Sequence, residues 1–145
     1  WLLHELKDFA DIGKFVREFA KTQGLNITQQ LDAGIRYIDF RITYTAGPDS
    51  SSASTYDWYC VHLVESNQRA VVYLQHIQEW MAAHPEEIVV IAFTRHGSMC
   101  DTQYPDTPNS AMQEFFHNVT AIFDGMLFNT AESALNETSV SELVA

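Results

Sequence analysis

Positive charge is scarce in this chain. Its 145 residues carry 8 Lys+Arg against 19 Asp+Glu, a formal net charge of -11 at pH 7, which disfavours non-specific binding to nucleic acid or to anionic lipid surfaces. Any phosphate contact must then be local, built by a particular side chain. Cysteine is also scarce: Cys60 and Cys100 could pair once in an oxidising compartment, and their spacing matches no disulfide framework. Long apolar runs are missing. The longest, Ile88 to Phe93, falls far short of the roughly 20 residues a membrane-spanning helix needs, and it reads as a buried strand. There is no two-histidine helical motif, Cys/His cluster or Asp-rich loop, so no metal site is expected. The first residues place charges where the apolar region of a cleavable signal would lie, and no initiator Met is present. The chain is therefore expected to be a segment of something longer.

What is present suits a folded domain. Hydrophobic residues make up 46% of the chain, enough to bury one core in a single domain over residues 1–145. Asn26, Asn118 and Asn136 each open a glycosylation sequon, where chance would give roughly one. A secretory route is the expectation, although Asn26 is equally suited to cap a helix.

Elements alternate along the chain. Apolar residues at helical spacing predict an amphipathic helix from Leu2 to Ala20, and a short helix over "NITQQLDAG" stops at Gly34. A strand from Ile35 to Ile42 follows, then the polar loop Thr45 to Thr55 and a second strand from Asp57 to Leu63. Val72, Leu74, Ile77, Trp80 and Met81 mark a helix from Arg69 to Ala83, closed by His84-Pro85. "EIVVIAFTR", with no alternation, suits a strand covered on both faces, and Pro108 opens a further helix through Phe115 and Phe123. Gly125 to Phe128 is expected as a fourth strand. This order implies α/β architecture and a parallel sheet with right-handed crossovers.

"GIRYIDFR", Gly34 to Arg41, places a carboxylate and a guanidinium two residues apart, so strand alternation sends Asp39 and Arg41 to one face. Arg41 is a suitable phosphate ligand, since its planar fork can hold two oxygens and stays charged at any working pH. Asp39 can orient Arg41 or hydrogen-bond a substrate hydroxyl. His62, at the end of the next strand, can donate a proton near neutral pH. Structural alternatives stand beside these roles: a strand-end ion pair for Asp39 and Arg41, and a satisfied core histidine for His62.

"TQGLNITQQLDAGIRYIDFRI", then "WYCVHL", then a helix and "HPEEIVVIAF" together resemble the X region of phosphatidylinositol-specific phospholipase C and its X-domain relatives. The likeness runs from about Thr22 to Phe93. It implies a TIM-barrel-like (β/α)8 phosphodiesterase fold, of which this chain holds the N-terminal portion, a partial domain of about four strands. It implies cleavage of a phospholipid headgroup by acid/base catalysis at a transient membrane surface, with His62 as general acid, Arg41 on the phosphate and Asp39 supporting. Calcium-dependent relatives carry acidic residues at the two matching strand positions. Here Arg41 fills the second, so calcium-independent action without cofactors is expected. The three side chains are expected to converge on one pocket, with His62 and Arg41 about 5–8 Å apart.

The chain also departs from the family pattern. No Ser-His-Asn or Ser-His-Asp type of segment precedes Asp39, and His4 lies in the apolar-periodic first helix. Leu63 follows His62 where the family usually has Gly, and Thr94 stands where a Lys, Asn or acidic group is common. A catalytically dead X-like phosphoinositide-binding or interaction module, keeping Arg41 without the first histidine, is the alternative reading.

Overall fold

The computed structural model describes residues 21, 23–46, 56–62, 64–95, 108–128 and 134–143. The expected first helix with His4, most of the Ser-rich loop, the His96-Gly97 pair and Cys100 lie outside the described residues.

Helix α1, Ile27–Asp32, begins with a reciprocal cap. The Gln29 amide donates to Asn26 Oδ1 at 2.9 Å and the Asn26 amide donates to Gln29 Oε1 at 3.0 Å, satisfying two orphan donors. The helix ends where Gly34 adopts φ 94. The Gly34 amide then donates to the Leu31 carbonyl and the Ile35 amide to that of Gln30, both at 3.0 Å, the Schellman pairing that turns the chain into the first strand.

Four strands are seen among the described residues: β1 (Tyr37–Thr45), β2 (Asp57–His62), β3 (Val64–Arg69) and β4 (Val90–Arg95), in the order β3-β2-β1-β4. The β1 and β4 strands are parallel, with Asp39 opposite Ala92 and Arg41 opposite Thr94. β2 runs antiparallel to β1, with Ile42 opposite Cys60, and β3 runs antiparallel to β2. The sheet is therefore mixed, which corrects the all-parallel expectation. The sequence joining β1 to β2 is rich in Gly, Pro and Ser and has no helical pattern, and a parallel neighbour normally needs a helical crossover.

Helix α2, Ala70–Ala83, agrees with its predicted span, as does α3, Asn109–Ile122. Both pack on one face of the sheet. Phe40, Ile42 and Trp58 supply that face, and Leu74, Ile77, Phe115, Val119 and Phe123 meet it in a continuous core. Trp58 anchors α3 twice, by ring contact with Phe115 at 5.1 Å and by donating its Nε1–H to the Ala111 carbonyl at 3.3 Å.

Two expectations about strands need correcting. Gly125 to Phe128 forms a turn, with Gly125 at φ 74 and the Met126 amide donating to the Phe123 carbonyl at 2.9 Å. An apolar triplet after a glycine has strand composition, but the backbone here satisfies itself locally. β4 is not covered on both faces either, since Val90 is 51% exposed. A short 3-10 helix, Leu135–Glu137, and a last turn α4, Val140–Leu143, complete the described chain.

Candidate functional site

The second face of the sheet carries the charged pair. Tyr37, Asp39 and Arg41 are exposed there, while Thr43 on the same face is buried. Arg41 donates from Nε to Asp39 Oδ2 at 2.8 Å, and its Nη2 lies 2.7 Å from the same oxygen. Both side chains keep more than 40% of their surface in solvent, at 44% for Arg41 and 42% for Asp39, so the pair contributes little to stability by itself. The other carboxylate oxygen accepts from a third residue: Thr94 Oγ1 donates to Asp39 Oδ1 at 3.1 Å. The parallel register brings this about, because Thr94 sits beside Arg41 on the neighbouring strand.

His62 is placed differently. It is the exposed last residue of β2. It lies two residues beyond the Ile42–Cys60 pair, the last of the β1–β2 ladder, and pairs with Val64 of β3 after a register shift between Tyr59 and Val61. The structure thus brings Asp39, Arg41 and Thr94 together by hydrogen bonds, and His62 is not among the described residues bonded to them.

Sequence reasoning singled out position 94 only as a departure and missed the hydroxyl's bond to Asp39. Its signal was a polar residue ending an apolar strand, without any indication of which carboxylate it would meet 55 residues away.

The other titratable groups form a separate cluster. Arg36 lies over the Trp80 ring at 4.6 Å, pairs with Glu87 at 2.8 Å and donates to the Leu31 carbonyl at 2.6 Å. His84 stacks on Trp80 with ring centroids 4.0 Å apart, its Nδ1 lies 2.7 Å from the Trp80 carbonyl, and Trp80 Nε1 donates to Asp32 at 2.8 Å. This cluster ties α1 and the approach to β1 to the end of α2. Cys60 is a free thiol that burial pushes up to about 12, with the Ser66 hydroxyl partly opposing.

A parallel β1–β4 pair with helices on one face and a charged, polar constellation on the other defines an α/β domain with one polar face. The PI-PLC X domain family model (PI-PLC X 1) matches residues 8–125, and the chain belongs to that family. It is similar to the mouse PI-PLC X domain-containing protein 1, 37% identical over 94 residues, which are 63% of this chain and 26% of that protein. The human protein of the same name is 36% identical over 77 residues, 53% of this chain and 22% of that one. The zebrafish PI-PLC X domain-containing protein 3 is 32% identical over 81 residues, 55% and 23% respectively. The chain thus matches about a quarter of the length of these curated relatives. No solved structure matches it.

Proposed function

We propose that the protein is a phosphoric diester hydrolase of the phosphatidylinositol-specific phospholipase C type, cleaving a phospholipid headgroup without metal. The observation that carries this reading is the Arg41 guanidinium, exposed on the ligand-accessible face of the sheet and anchored by Asp39 on the same strand. Membership of the PI-PLC X domain family supports it. Attack on phosphorus by a neighbouring hydroxyl builds negative charge on the phosphate oxygens, and a fixed guanidinium stabilises that charge. Arg41 holds the phosphate, and Asp39 holds Arg41. The general-acid role falls to His62, the exposed last residue of β2.

The same reading takes the sheet as part of a (β/α)8 barrel, with the Asp39–Arg41 face turned inward and the β2–β3 hairpin as an antiparallel excursion. Helices α2 and α3 on the opposite face are consistent with it. The cation's place is filled by Arg41, so neither calcium nor a cofactor is needed. Secretory routing belongs to the proposal as well; Asn118 and Asn136 are exposed, whereas the Asn26 side chain is occupied as a helix cap.

The second reading, a non-catalytic phosphoinositide-binding or interaction module, keeps Arg41 and dispenses with His62. The departures from the family pattern before Asp39 and at Leu63 after His62 fit it. One experiment separates the two. The intact protein that contains this chain is incubated with phosphatidylinositol vesicles in chelator, and vesicle binding and released inositol phosphate are both followed. Turnover in chelator supports the hydrolase; binding without turnover selects the module; turnover only with added calcium overturns the metal-free mechanism.

A further inference from the structure

We propose that Thr94 is a positioning residue for this site, acting through Asp39 to set the direction in which Arg41 presents its remaining N–H groups to a phosphate. The ligand in this statement rests on the proposed function; the positioning itself does not.

A guanidinium has five N–H donors in a fixed plane. Arg41 directs Nε and Nη2 at Asp39 Oδ2, at 2.8 and 2.7 Å, which occupies the edge used for side-on pairing with a carboxylate. What remains for a ligand is the opposite end, formed by Nη1 and the second Nη2 hydrogen. A phosphate gripped by Arg41 therefore binds end-on, and the line of approach is fixed by the guanidinium plane. That plane follows the Asp39 carboxylate. A carboxylate on a two-carbon side chain has a broad, two-fold terminal torsion, so a bond to Oδ1 narrows the direction in which Oδ2 points. Thr94 Oγ1 donates that bond at 3.1 Å from the adjacent strand. The chain of contacts runs from β4 to β1 and back out to solvent: Thr94 to Asp39, Asp39 to Arg41, Arg41 to the ligand.

Thr94 is exposed and outside the buried core, so removing its hydroxyl leaves the packing intact. The hydroxyl serves orientation rather than burial.

The test uses the intact, 15N-labelled protein and the Arg41 side-chain Nε–H signal, assigned by its loss in Arg41→Lys. The unmodified protein is expected to show a sharp Nε–H signal before any ligand is added. Thr94→Val, close in shape but without the hydroxyl, is expected to broaden or shift that signal while the backbone spectrum keeps its fold; Thr94→Ser is expected to restore it. Inorganic phosphate is then titrated, and Thr94→Val should weaken its effect on the Arg41 resonances about five- to tenfold, the range expected for one lost hydrogen bond. An Nε–H signal indifferent to Thr94→Val, or a Thr94→Ser variant that behaves like Thr94→Val, overturns the proposal. Phosphate that leaves Arg41 untouched, with the ligand-free response to Thr94→Val intact, upholds the positioning role and rejects the phosphate reading alone.

Discussion

The guanidinium carbon of Arg36 sits 4.6 Å from the centroid of the Trp80 ring, while its Nε–H donates to Glu87. The hydrogen bond from Arg36 holds the Glu87 carboxyl below its ordinary value. A depressed carboxylate stabilises the fold above its unfolded value of about 4.3, and that contribution is lost as pH falls through the folded value. The pair is largely exposed, so its contribution is small: acid titration followed by Trp fluorescence should show a slightly shallower loss of stability below about pH 4 in Glu87→Gln. An unchanged loss in that variant would show that other carboxylates govern acid stability.

Replacing Arg41 by Lys should separate charge from geometry. Lysine keeps the positive charge but loses the planar fork that bonds Asp39 while facing a ligand. Phosphodiester turnover of the intact protein is expected to fall about 100-fold or more, with thermal stability nearly unchanged because the pair is largely exposed. Equal activity of the two proteins counts against Arg41 as the phosphate ligand.

The role of His62 can be read from the leaving group. A general acid typically contributes about 10²–10⁴ in rate, but a leaving group that departs without protonation needs none. His62→Ala should thus be slow on a phosphatidylinositol substrate and nearly normal on an activated aryl phosphodiester. Equal losses on both substrates would remove His62 from the acid role.

Cys60 should be inert. Burial raises its thiol to about 12, leaving almost no thiolate at pH 8. Iodoacetamide is expected to spare Cys60 in the folded protein and to modify it in urea, with peptide mapping as the readout. Rapid labelling under native conditions would mean that β2 opens readily.

Much of this architecture is legible in sequence wherever side-chain spacing reports a buried face. Leu74, Ile77 and Trp80 recur at helical intervals because all three enter the core, and α2 emerges with nearly its expected bounds. The Asn26–Gln29 cap is local and readable for the same reason. Strand direction is not a local property. The sequence between β1 and β2 carries no helical pattern, and that was the available sign that β2 returns antiparallel. β3 is illegible because "VESNQR" is polar and owes its strand form to backbone pairing with β2. Within the site, Asp39 and Arg41 are two residues apart and share a face by simple alternation. Their contact with Thr94 depends on the register of two distant strands, which no short pattern encodes.

The parallel pairing of β1 with β4 also bears on folding order. The bond between Thr94 and Asp39 spans 55 residues of chain, whereas α1, with its cap, and α2 are built from local contacts. Long-range strand pairing has to meet the entropy of loop closure before it is rewarded, so it is slow relative to helix formation. Asp39 and Arg41 acquire each other early, as near neighbours on one strand. Thr94 joins them only when β4 docks, so the oriented guanidinium is a late product of folding, and an Arg41 resonance doubles as a clock for the slowest step of sheet assembly.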